Sequence, residues 1–105
     1  MEIKKSDYFE AIIQLRNPSE ELLNFVENRV EERENVFVSN IKEVKNGYDI
    51  YISDQRYARS MGRKMKKAFK GELKTSRSLY GVDNQTSKKV YRVTVCFRMP
   101  KNDTP

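Results

Sequence analysis

Arg56, Arg59, Arg63, Lys66, Lys67 and Lys70 follow one another at spacings of one, three and four residues, with no acid between them. At about 100° per residue such positions share one side of a helix. Six cations on one side repel each other unless a polyanion lies against them, and contacts of this type carry sequence-independent affinity for nucleic-acid phosphates. Lys74 and Arg77 lie just beyond. Strand alternation puts Lys74 and Ser76 on one face and Thr75 and Arg77 on the other, so a strand there divides its cations between two surfaces. Tyr51 and Tyr80 are the candidates for stacking on unpaired bases, since aromatic rings on a sheet with nearby Arg and Lys form a common single-strand RNA platform.

Catalytic chemistry has little to work with. The chain holds no His and a single Cys, Cys96, so it cannot supply the His or Cys clusters of zinc sites or the imidazole of a Ser-His or Cys-His pair. No catalytic residue, metal ligand, cofactor or small-molecule substrate is expected. The charge is divided instead: residues 1–54 hold 7 Lys and Arg against 12 Asp and Glu, and residues 55–105 hold 14 against 3, within a net charge of +6. A long-range field of that kind selects partners and says nothing about fold.

At 105 residues the chain has room for one domain, with an ordered core expected over about 8–99. No apolar run approaches the roughly 20 residues of a membrane helix. A lone Cys96 and an N-terminus without an apolar signal core point to a reducing, cytoplasmic setting.

The elements that must carry the cations follow from periodicity. Phe9, Ala11, Ile13 and Leu15 alternate with Tyr8, Glu10, Ile12, Gln14 and Arg16, predicting a strand from about Tyr8 to Arg16 with one strongly apolar face. Asn17-Pro18-Ser19-Glu20 reads as an N-cap, a proline at the first helical position and a carboxylate three residues past the cap. Leu22, Leu23, Val26 and Val30 then give an amphipathic helix, expected to end near Asn35, whose outer face bears Glu20, Glu21, Glu27, Glu31 and Glu32. Residues 36–44 and 48–52 form two strand-like runs, and Asn46-Gly47 between them predicts a type I′ hairpin with positive φ at both residues. A second helix is expected from Gln55 to Lys70, capped by Ser53 or Asp54, apolar along Tyr57, Ala58, Met61, Met65, Ala68 and Phe69, and stopped by Gly71. Within it, Gly62 suggests a close approach by another backbone. Residues 72–80 and 88–99 complete the set as strands, with Asp83 closing the turn between them. The predicted class is α+β: a ferredoxin-like βαββαβ unit with an additional C-terminal antiparallel strand.

Three stretches resemble a known family. Asn46 to Ser53 followed by Ala58, then Lys74-Thr75-Ser76-Arg77-Ser78-Leu79 with Asp83, then Tyr91-Arg92-Val93-Thr94-Val95, are similar to the nonsense-mediated mRNA decay protein three family, the large-ribosomal-subunit export adaptors, closest in style to its archaeal members. The resemblance runs from about Tyr8 to Arg98. It implies a middle domain excised from a longer protein, with an N-terminal zinc-binding region before it and a translation-factor-like domain after it. It also implies the large ribosomal subunit as partner. The expected function is a non-catalytic ribosome-binding module contacting rRNA through the basic helix and following strand. A second reading has the acidic first helix dock on a ribosomal protein. A third, by analogy of fold, is a small acylphosphatase-like enzyme. Against it, Arg16-Asn17-Pro18-Ser19-Glu20 lacks the glycines of that enzyme's anion loop.

Overall fold

The computed structural model describes residues 8–82 and 89–100, apart from the side chains of Tyr80, Val82 and Lys89. Its elements are β1 (Ala11–Arg16), α1 (Glu20–Glu31), β2 (Val38–Val44), β3 (Gly47–Ile52), α2 (Gln55–Ala68), β4 (Glu72–Val82) and β5 (Lys89–Arg98). The α+β class and the order of elements agree with the sequence reading. Five strands make one sheet in the order β2-β3-β1-β5-β4.

That order corrects the ferredoxin-like expectation. β1 pairs antiparallel with β3 on one side, but on the other it pairs parallel with β5, Ala11 opposite Val93 and Leu15 opposite Phe97. The additional strand is therefore inserted beside β1, and β4 is displaced to the edge. Apolar content explains the exchange. Val93, Val95 and Phe97 of β5 are fully buried, whereas β4 presents Lys74, Ser76, Arg77 and Ser78, all exposed. A polar, charged strand is suited to an edge, where its unpaired side meets water.

One face of the sheet holds the core. Ala11, Ile13 and Leu15 of β1 lie there with Ile50 and Ile52 of β3 and the buried residues of β5, under Leu22, Val26 and Val30 of α1 and Tyr57, Met61 and Met65 of α2. Phe25 of α1 meets Phe69, the residue that follows α2, edge to face with ring centres 5.4 Å apart. On the other face Ile12, Gln14 and Arg16 are half-buried, and no helix of the described residues covers them.

Local chemistry sets the element ends. Ser19 caps α1, its Oγ accepting from the Leu22 amide at 3.1 Å. The expected cap, Asn17, instead turns the corner with φ 50° and donates its backbone N–H to the Asn46 carbonyl at 2.7 Å. Asn tolerates that conformation, and the proline after it disfavours a helical one. In the β2–β3 turn only Asn46 has positive φ, at 70°, so the type I′ expectation fails. Gly47 already belongs to β3, and its lack of a side chain serves close approach to β1. Asp54 caps α2, accepting from the Tyr57 amide at 3.0 Å.

The far end of α2 differs from expectation. The helix stops at Ala68, and Gly71 has no positive φ. A Cβ there would lie 2.5 Å from Phe97 Cζ, so this glycine makes room for an aromatic ring. Gly62 is also a close approach, but to side chains: a Cβ would lie 2.8 Å from Val95 Cγ1 and 3.1 Å from Leu73 Cδ1. α2 is thereby seated low over β5 and β4.

Candidate nucleic-acid interface

Seating α2 on Gly62 fixes which way its cations point. Tyr57, Ala58, Met61 and Met65 are buried, and Arg56, Arg59, Arg63, Lys66, Lys67 and Lys70 are exposed on the opposite side. Lys64 is exposed as well. Its place on the flank of the helix put it outside the stripe read from the sequence. Ala68, expected in the apolar stripe, is exposed, although Met65 in the same last turn is fully buried.

These cations have few partners inside the protein. Among the described residues the ion pairs are Arg16–Asp49 at 2.8 Å and Arg29–Glu32 at 3.2 Å, and neither involves α2. One of them is engaged among the described residues: Lys66 Nζ donates to the Gly71 carbonyl, past the end of the helix, at 2.7 Å. Lys67 also stands in the last turn, where the helix dipole favours it. Arg56 is different. It stands in the first turn, which contains no acid, and there positive charge opposes the dipole. Helix stability does not account for it.

The sheet separates the remaining candidates. Register places Lys74 opposite Cys96 and Ser76 opposite Thr94, on the helix-free face, while Arg77 opposite Val93 faces the helix side. Lys74 borders a cavity of about 650 Å³ with Gln14, Ser76, Thr94, Cys96 and Arg98. It does not share a surface with the outer face of α2. Arg77 does lie on the α2 side, with its guanidinium carbon 4.4 Å from the centre of the Tyr91 ring. Sequence alone did not point to that pairing, although alternation places Tyr91 on the same face as Val93 and Phe97.

Tyr51 lies on the helix-free face, and its ring is already engaged. The Phe9 ring meets it edge-on at 4.8 Å, and Lys42 Nζ sits 5.2 Å from its centre. Phe9 is held in turn by Arg92, whose guanidinium carbon lies 3.8 Å from the ring centre and whose Nε donates to the Phe9 carbonyl at 3.0 Å. The structure does not bring Tyr51 together with the basic helix. The side chain of Tyr80 and all of Asp83 lie outside the described residues.

A second cavity, of about 640 Å³, opens at the start of α2 beside Tyr8, Glu10, Asp54, Arg56 and Arg59. Its carboxylates are engaged: Asp54 on the helix cap, and Glu10 accepting from the Gln55 amide at 3.0 Å and from the Tyr8 hydroxyl. The bond to Glu10, with burial adding to it, pushes the Tyr8 phenol up to about 12. Nor does the loop after β1 offer an anion site of the acylphosphatase kind. Arg16 is drawn back onto Asp49 and the carbonyls of Leu15 and Tyr48. The described residues of α2 present a row of exposed cations on the side away from the sheet.

No curated protein matches the chain. The family model described as NMD3, second domain, matches residues 8–99.

Proposed function

The chain belongs to the NMD3 family through this second domain, a family of ribosome-biogenesis adaptors that serve export of the large ribosomal subunit and are not known as enzymes, and on that premise we propose that it is a non-catalytic module holding the subunit by rRNA. The outer face of α2 lies along phosphates, and Arg77 extends that surface onto β4. One observation carries the reading: Arg56, Arg59, Arg63, Lys67 and Lys70 are exposed on one side of α2 and form no ion pair among the described residues. Such a row raises its own electrostatic energy until a polyanion neutralises it. Backbone and shape recognition follow, because phosphates carry no sequence information.

A titration of the chain against naked rRNA and against intact large subunits, repeated over a range of salt, tests this. Binding to naked rRNA that falls steeply with salt supports it. Binding confined to intact subunits overturns it in favour of a protein contact. The exposed acids of α1, Glu20, Glu21, Glu27 and Glu31, supply that second reading, in which they meet a basic ribosomal protein. Glu27→Lys with Glu31→Lys separates the two. With rRNA as partner the reversal leaves binding equal or tighter, whereas with a basic protein it weakens binding to subunits alone.

A further inference from the structure

β4 and β5 outrun the rest of the sheet. β1 meets β5 only from Val93 to Arg98, while the β4–β5 pairing continues through Ser78–Arg92, Leu79–Tyr91, Gly81–Val90 and Val82–Lys89. The result is a two-stranded arm on a molecule measuring 57 × 25 × 25 Å. Among the described residues it carries two of the three large apolar side chains that are exposed, Leu79 at 54% and Val90 at 42%. Arg77 and Leu79 are two residues apart on β4 and so share a face. Tyr91, opposite Leu79, shares it too. On that face the Arg77 guanidinium lies over the Tyr91 ring at 4.4 Å, fixed by the ring beneath it, and Arg77 is exposed.

We infer that the Arg77–Tyr91 stack is a base-capture site, at which an unpaired RNA base stacks on the outward plane of the guanidinium with its edge against Leu79. This deepens the rRNA reading and rests on it. Three features point to a base. Phosphate contact requires charge but no ring beneath it, whereas a guanidinium whose carbon lies 4.4 Å from the centre of an aromatic ring brings a planar cation and a ring together as a platform for a planar π-system. Leu79, exposed on the same face of β4, offers an apolar surface for a ring edge. Arg59 lies one turn before Gly62, which sits over Leu73 and Val95, so the phosphates flanking a captured base meet a cation on the same side of the molecule. A paired base does not qualify: duplex stacking hides its faces, and the deep A-form major groove excludes side chains.

The test uses two RNA probes: a stem-loop with 2-aminopurine at an unpaired loop position, and a fully paired duplex of the same length with 2-aminopurine inside it. The variants are Arg77→Lys, which keeps the charge and loses the plane, Tyr91→Leu, which removes the support, and Arg59→Glu with Arg63→Glu. The expected result is quenching of the loop fluorophore by the unmodified chain. Arg77→Lys and Tyr91→Leu should abolish the quench and cost about tenfold in stem-loop affinity, with duplex affinity unchanged. The double reversal on α2 should weaken both probes. Binding without quenching, or quenching that survives Arg77→Lys, overturns base capture and leaves the rRNA reading standing. Selective loss by Arg77→Lys on intact subunits, with both RNA probes unaffected, also overturns it and assigns the patch to a protein. Failure to bind either probe removes both proposals. Arg77 is exposed, so an unchanged melting temperature in Arg77→Lys certifies the comparison.

Discussion

A Cβ on Gly47 would stand 1.8 Å from the carbonyl oxygen of Leu15, so the first residue of β3 passes β1 at a distance that only hydrogen permits. Gly47→Ala must push the two strands apart where Arg16 and Gly47 pair. A loss of about 2–4 kcal/mol is expected from strain of this kind, read by urea denaturation. Asn46→Gly, at the neighbouring residue with φ 70°, should change stability by no more than about 1 kcal/mol, because glycine accepts that conformation.

The basic face is tested by Arg59→Glu with Arg63→Glu. Both residues are exposed, so melting should be unchanged while affinity for rRNA falls. For every phosphate that the variant no longer neutralises, the slope of log affinity against log salt becomes shallower by about 0.7–0.9. Lys74→Glu, on the far face of the sheet, should weaken binding less. Equal affinity for the double variant and the unmodified chain would remove α2 from the site.

Met61 is 1% exposed at the centre of the buried stripe of α2. Met61→Asp puts a carboxylate there without a partner and should cost several kcal/mol, about the range for burying an unpaired charge or vacating the site. Ala68→Lys, by contrast, should stay within about 0.5 kcal/mol, since Ala68 is exposed in the last turn. Thermal melting of the pair reports the phase of the helix.

The Tyr57 hydroxyl is buried with no hydrogen-bond partner, and burial raises its phenol from the ordinary 10.0 to about 12. A raised phenol favours the neutral form in the folded state. Its contribution is fully present below pH 10 and is lost as pH rises through about 12. Tyr57→Phe removes both the orphaned hydroxyl and the titration. It should stabilise the protein by about 1 kcal/mol at neutral pH, and it should lose less stability than the parent between pH 10 and 12. Denaturation across that range, with phenolate absorbance as the second signal, checks both.

What was legible in the sequence was what repeats locally. Helical spacing placed Met61 and Met65 inward and Arg59 and Arg63 outward, and alternation placed Lys74 and Arg77 on opposite faces of one strand. Strand order was not legible, because alternation says which residues of β5 face the core and nothing about which strand lies beside it. Only the competition between the apolar β5 and the polar β4 for the place next to β1 decides that. Glycines misled for a related reason. Gly47 and Gly71 looked like turn formers, but each is set by an atom distant in sequence, the Leu15 carbonyl or the Phe97 ring. The Arg77–Tyr91 stack is likewise formed across a hairpin, and Lys66 is held by a carbonyl past the helix end.

The place of β5 also governs the order in which the molecule comes into being. Ala11 and Val93 are partners about 80 residues apart along the chain, and closing so long a loop carries an entropic cost that slows assembly. β1 and β3 pair over smaller separations, Ala11 with Ile52 and Arg16 with Gly47, so the entropic cost orders their association ahead of that of β1 with β5. Until the last of the five strands is synthesised, β1 has an unpaired side and α2 lacks Val95 and Phe97 beneath it. A nascent chain halted before Val93 is therefore an open half-sheet with exposed backbone donors, prone to pair with whatever strand it meets.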